Sequence, residues 1–260
     1  MLRFFDADAI RALGEQTNRG PGGYRFGFVN DVLNQPAYDR LAREFPRVDH
    51  FQLVDKQSGG GRKRFYVGPS YDLGRDGGCI CGLGGISQMW RQLFLECASA
   101  ELMDLLGESI GIRFNSLCSF GFAYGNEGCR QEAHIDGAVR PGDASPVHST
   151  ISLFIYCNQR SQRTGGTRIY APDRESVLFE VPELRNGLFY FEQSALAWHG
   201  YATLPPGIER RLVNFTYTLE ESPVTLRTSR LHRHICPRRF RRRLRKATEV
   251  LREAMSPRRH

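Results

Sequence analysis

The sequence contains no uninterrupted apolar run of the roughly 18 residues that a membrane-spanning helix needs. Asp6 and Asp8 sit where a secretory leader would be unbroken and apolar. No membrane span and a cytoplasmic location are therefore expected. Phosphate and dinucleotide fingerprints are also missing. Ser58-Gly59-Gly60-Gly61-Arg62-Lys63-Arg64 lacks the Gly-Lys-Ser/Thr ending of a phosphate loop, and Gly77 to Gly85 lacks the spacing of a dinucleotide motif. Both stretches read as mobile loops that could cover the mouth of a barrel. Cysteine is sparse and odd in number: 7 residues, scattered from Cys79 to Cys236, suit reduced thiols better than a disulfide framework. Cys79-Ile80-Cys81 is spaced too tightly for a usual zinc site and has no Cys/His pair nearby. No internal repeat is visible.

Acidic residues are fewer than basic ones, 28 against 36, and the net charge of +8 invites a nucleic-acid reading. The excess is local. Residues 221–260 hold 13 basic and 3 acidic side chains, a net +10, which leaves 23 basic and 25 acidic in the first 220 residues, a net −2. The main body is not basic. In the tail, Arg238 to Lys246 runs into Leu244, Val250 and Leu251 at helical spacing. That pattern suits a basic helix that contacts a polyanion or an anionic membrane, or one that simply docks on the body.

What is abundant is core material. A hydrophobic fraction of 40%, with 17 Phe and 10 Tyr, fills the interior of one large domain or two small ones. The first 107 residues read mainly as helices. Asn34-Gln35-Pro36 starts one, with Tyr38, Leu41, Ala42 and Phe45 at helical spacing before Pro46; a longer one is expected from Ser87, closed by Gly107. From Ile112 the pattern changes to short strands rich in β-branched and aromatic residues, at Ile112 to Tyr124, Ser149 to Tyr156, Thr167 to Tyr170, Ser176 to Val181, Gly187 to Phe191 and Arg211 to Leu219. Repeated strands without intervening helices predict an α+β chain built on a jelly roll, or double-stranded β-helix. The expected domain covers residues 1–220, with helical support in 1–107 and the barrel in 108–220, followed by a basic C-terminal helical tail in 221–260.

The chemistry-bearing residues are His134-Ile135-Asp136 and, 65 positions later, His199. Residues i and i+2 of a strand share a face, so His134 and Asp136 can present an imidazole and a carboxylate to one metal. Two histidines and one carboxylate form the facial triad of non-haem Fe(II) oxygenases, which leaves coordination positions open. A lone His-x-Asp triplet is weak, and a histidine after Trp198 could equally be a satisfied core residue.

The surroundings carry a family pattern. Phe122-Ala123-Tyr124-Gly125-Asn126 precedes His134, the strand Thr150 to Asn158 follows the ligand pair, Thr164-Gly165-Gly166-Thr167 makes a paired-glycine turn, and Gly187 to Phe191 leads to His199-Gly200. In this order the chain resembles the 2-oxoglutarate- and Fe(II)-dependent dioxygenases of the prolyl-4-hydroxylase-like group, over roughly residues 120–217. The resemblance implies that His134, Asp136 and His199 hold Fe(II), with 2-oxoglutarate and O₂ as co-substrates and ascorbate as an accessory reductant. It also implies a cation for the far carboxylate of 2-oxoglutarate. Arg210 or Arg211 supplies it, and matching the strand alternation to the family favours Arg210. Tyr124 and Tyr156 match tyrosines that support that carboxylate, although strand aromatics are also ordinary core.

The implied reaction is hydroxylation of an unactivated C–H bond in a small molecule, an amino acid (free or carrier-bound) or a peptide, with release of succinate and CO₂. Because Asp136 keeps its carboxylate, halogenation is disfavoured. Two alternatives belong beside it. One is nucleic-acid demethylation by the same iron chemistry, which the resemblance pairs with an Arg-x-x-x-x-x-Arg ending. Thr216 and Tyr217 stand where its second arginine would be. The other is a polyanion-binding module acting through residues 221–260.

Overall fold

The structure, a computed structural model, describes residues 2–72, 83, 85–136 and 150–219. The Cys79–Cys81 pair, most of the Gly77–Gly85 stretch and the basic tail lie outside the described residues. No helix among the described residues is long and apolar enough to cross a membrane.

Among the described residues, four α-helices form where capping residues meet an apolar stripe. Helix α1 (Ala7–Glu15) starts at Asp6, whose carboxylate accepts from the Asp8 and Ala9 amides, and α2 (Gln35–Arg43) starts at Asn34, which accepts from Ala37. The single helix expected from Ser87 to Gly107 is two, α3 (Gln88–Cys97) and α4 (Ala100–Ile110). Ser99 stops the first and caps the second by accepting from the Leu102 amide at 3.2 Å. The true C-terminal stop is Gly111 in the left-handed region at φ 68°. Gly107 instead lies inside α4, where a Cβ would come within 2.5 Å of the Ile112 carbonyl oxygen.

Twelve strands follow one another in a single antiparallel sheet. They are β1 (Thr17–Arg19), β2 (Arg25–Val29), β3 (Gln52–Ser58), β4 (Gly61–Asp72), β5 (Phe114–Gly125), β6 (Arg130–His134), β7 (Thr150–Cys157), β8 (Arg168–Tyr170), β9 (Val177–Glu180), β10 (Arg185–Glu192), β11 (His199–Tyr201) and β12 (Arg210–Leu219). The order across the sheet is β1-β2-β10-β7-β12-β5-β4-β6-β11-β8-β9, with β3 paired to β4. The first 107 residues are therefore not mainly helical, since β1 to β4 lie there. Gly59 and Gly60, at φ 63° and 91°, form the two-residue turn of the β3–β4 hairpin, so the expected Gly-rich loop is a tight turn between strands.

The sheet curls until its ends meet. Phe26 of β2 lies 5.5 Å, centroid to centroid, from Phe179 of β9, which stacks in turn on Phe189 of β10 at 5.8 Å. These rings, with Phe154, Tyr156, Ile169, Phe191 and Leu212, fill the inside of the curl. Alternate residues of the same strands face outward. Phe120 and Phe122, Leu153 and Ile155, and Val213, Phe215 and Tyr217 meet Trp90, Leu93 and Phe94 of α3 and Leu102 and Leu106 of α4. Two apolar layers thus share the central strands, and each strand residue belongs to one or the other.

Candidate metal and co-substrate site

Strands β6 and β11 pair so that His134 and His199 stand directly opposite each other. Their rings lie 4.3 Å apart, and the ligand atoms of His134, Asp136 and His199 all fall within 4.8 Å of one another. Asp136 Oδ1 is 3.5 Å from His134 Nε2, and Oδ2 is 3.4 Å from His199 Nε2. Each imidazole is oriented from its other side. Nδ1 of His134 lies 2.8 Å from the Glu132 carbonyl oxygen and Nδ1 of His199 lies 2.9 Å from that of Ala197. Donation to those carbonyls leaves both Nε2 lone pairs directed at the carboxylate, the tautomer a metal ligand needs. The Phe191 ring, 4.4 Å from His199, seals the other side.

The protonation states agree with this arrangement. Burial pushes the His134 imidazole down to about 4, and His199 beside it adds to the shift, so His134 is neutral at pH 7. Burial would raise Asp136, but His199, His134 and Lys63 outweigh it and hold the carboxyl well below its usual range. The donor set is two imidazoles and an ionised carboxylate, which fits Fe(II).

Arg210 and Arg211 differ in what holds them. Arg210 is 5% exposed. Its Nε donates to the Gly165 carbonyl at 3.0 Å and its NH2 to Thr167 Oγ1 at 2.8 Å, and its guanidinium lies over Tyr201 at 4.3 Å and Tyr156 at 5.5 Å. No carboxylate among the described residues neutralises it. Arg211 points to the other face and pairs with Glu209 Oε2 at 2.7 Å. A buried, unneutralised guanidinium is costly unless an anion completes it. Beside it the Tyr201 hydroxyl is buried with no hydrogen-bond partner, and so is Asn214 Oδ1, further along the inner face of β12. The orphaned hydroxyl and the free fork fit a carboxylate.

The two tyrosines separate. Tyr156 faces inward, with its hydroxyl 2.5 Å from Thr167 Oγ1 in the shell around Arg210. Tyr124 lies opposite Arg211 in the β5–β12 register and therefore on the outer face. Its ring packs on Phe51 and Tyr66, and its hydroxyl donates to Glu209 Oε1 at 3.0 Å. Strand alternation thus turns Tyr124, expected beside the co-substrate, to the helix layer, on the face opposite Arg210.

No family model matches the sequence, and no curated protein matches it. Solved structures do. The chain superposes on a prolyl-4-hydroxylase from Pseudomonas putida with a TM-score of 0.53, at 17% identity over 82% of this chain and 98% of that one. An oxidoreductase of the 2OG-Fe(II) oxygenase family from Burkholderia pseudomallei gives a TM-score of 0.50 at 16% identity, covering 82% of this chain and 88% of that one. The fold is that of the 2OG-Fe(II) oxygenases.

Within this fold three residues bear on the site that the sequence pattern did not single out. Lys63, 8% exposed, reaches from β4 and places Nζ 3.3 Å from Asp136 Oδ1. Gln193, just past β10, donates to Asp136 Oδ2 at 3.0 Å and to Ser152 Oγ at 2.9 Å, fixing the second oxygen. Tyr201 completes the walls around Arg210. Lys63 was hidden because its segment reads as a glycine-rich loop, although the alternation after Gly61 could have marked a strand. Gln193 carries no local signal. Tyr201 stands two residues after His199 in a short strand, and that spacing is a usable signal.

Proposed function

We propose that the chain is a 2-oxoglutarate- and Fe(II)-dependent oxygenase that hydroxylates a C–H bond of a small molecule, an amino acid or a peptide, releasing succinate and CO₂. The observation that carries the reading is the coexistence, inside one curled sheet, of the His134–Asp136–His199 cluster and a buried Arg210 without a carboxylate partner. Fe(II), held by those three residues, would supply the redox centre at which O₂ and 2-oxoglutarate react. Both histidines would offer Nε2 as a donor, and their Nδ1 contacts fix the rings. Lys63 and Gln193 each hold one oxygen of Asp136, so the carboxylate cannot swing. Arg210, with Thr167 and the Tyr201 hydroxyl, orients the far carboxylate of 2-oxoglutarate, and the inner aromatic rings keep water from the reacting centre.

Residues 1–220 form one oxygenase domain in this reading, and the basic tail is an extension with its own role, for which contact with a polyanion is the candidate. Succinate formed from 2-oxoglutarate in the presence of Fe(II) and O₂ tests the activity. It should disappear in His134→Ala and His199→Ala. Turnover that survives either change would sink the reading.

A further inference from the structure

The β3–β4 hairpin forms one wall of the site. The Ile135 amide, between the two proximal ligands, donates to the Gly59 carbonyl at 2.9 Å, and a Cβ on Gly59 would lie 1.9 Å from the Ile135 carbonyl oxygen. A Cβ on Gly60 would come within 3.1 Å of the Trp198 ring, next to His199. The turn therefore sits directly on both ligand segments, and the strands behind it are held in place.

On this hairpin Lys56 and Lys63 are directly opposed across the strands. Facing like charges destabilise a strand pair, and Lys56 has no carboxylate partner among the described residues. The acids around the hairpin are already engaged: Asp55 holds Arg62 and Arg64, Glu132 accepts from the Arg62 amide, and Asp136 pairs with Lys63. Charge bookkeeping inside the site points the same way. Asp136 contributes −1 and Lys63 and Arg210 contribute +1 each, a net +1. A divalent metal and the 2-oxoglutarate dianion cancel, so the excess persists in the loaded site. Lys56 adds a second, solvent-facing positive charge at its edge.

We propose that Lys56 and Lys63 receive a carboxylate of the primary substrate, so that the protein acts on an organic acid in preference to neutral or cationic compounds. This rests on the interior being a 2-oxoglutarate and metal site. The single buried excess charge matches one monoanion, with Lys63 as the inner contact and Lys56 drawing the acid in.

The test uses full-length protein loaded with Mn(II), a paramagnetic and redox-silent stand-in for iron, and saturated with 2-oxoglutarate. The proton relaxation of N-acetyl amino acids is compared with that of the matching N-acetyl amino acid amides. The acids should be retained more strongly by about fivefold, and Lys56→Glu and Lys63→Met should each bring acids and amides to parity. Lys56 is exposed, so its substitution does not endanger folding. Parity in the unaltered protein, absence of relaxation for every probe, or an acid preference that persists in Lys56→Glu would overturn the proposal. The relaxation of 2-oxoglutarate itself is read in the same samples. If 2-oxoglutarate is not relaxed, the co-substrate reading fails first and the proposal falls with it; if it is relaxed while acids and amides are equal, only the proposal falls.

Discussion

The two faces of strand β12 carry neighbouring residues of the same type into opposite environments. Toward the inside, Arg210 lies over Tyr201 and Tyr156 with no acid to neutralise it; toward the outside, Arg211 is paired with Glu209 and lies over Phe45 at 5.8 Å. The tyrosines divide in the same way, Tyr156 inward and Tyr124 outward. One peptide unit decides whether a guanidinium is available to a ligand or occupied in the scaffold. Chemical identity alone does not make a site residue; a buried group left without its counter-charge does.

Substitutions on the two faces should therefore separate stability from ligand binding. The largest effect belongs to the outer layer. Phe122, buried in edge contact with Trp90 at 4.8 Å, should cost about 3–5 kcal/mol of unfolding free energy when changed to alanine, measured by denaturant titration, while the folded fraction keeps its affinity for 2-oxoglutarate. Next comes Arg210→Ala, expected to weaken 2-oxoglutarate binding to the metal-loaded protein by about 3 kcal/mol, roughly a hundredfold. Arg211→Ala should change that affinity by less than about threefold. Equal losses in calorimetric titrations of the two variants would erase the distinction between the faces.

Smaller effects sharpen it. Gly59→Ala forces a side chain at φ 63° toward the Ile135 carbonyl. It should cost about 1–3 kcal/mol and lower metal affinity, because the turn supports the His134–Asp136 segment; unchanged metal titration would show the hairpin to be independent of the ligands. Smallest is the tyrosine pair. Tyr156→Phe removes the hydroxyl beside Thr167 and should weaken 2-oxoglutarate binding by about 1 kcal/mol. Tyr124→Phe should leave that binding unaltered, and a loss equal to that of Tyr156→Phe would return Tyr124 to the site.

Much of the barrel is legible in the sequence, because half-buried strands impose an alternation that survives low identity. The runs read at Ile112 to Tyr124, Ser149 to Tyr156, Gly187 to Phe191 and Arg211 to Leu219 lie over β5, β7, β10 and β12, with ends shifted by a few residues. The N-terminal strands were hidden for a physical reason. β3 is exposed along most of its length and therefore polar, and β4 starts from a triple-glycine turn, so neither shows the apolar signature of a strand. The helix break at Ser99 escaped because the apolar stripe continues through it while the cap acts only on the backbone.

The sequence by itself determined the residue types of the His134, Asp136 and His199 cluster and their order, together with the alternation that places Arg210 and Arg211 on different faces. Those are local properties, written in residue identity and in the two-residue period of a strand. Only the tertiary structure decided which face is the interior, that β6 and β11 bring the two histidines opposite each other, and that Lys63 and Gln193 converge on Asp136 from segments 73 and 57 residues away. Such convergence depends on how the sheet curls, and the curl is set by the packing of both apolar layers at once, which no short stretch of chain encodes.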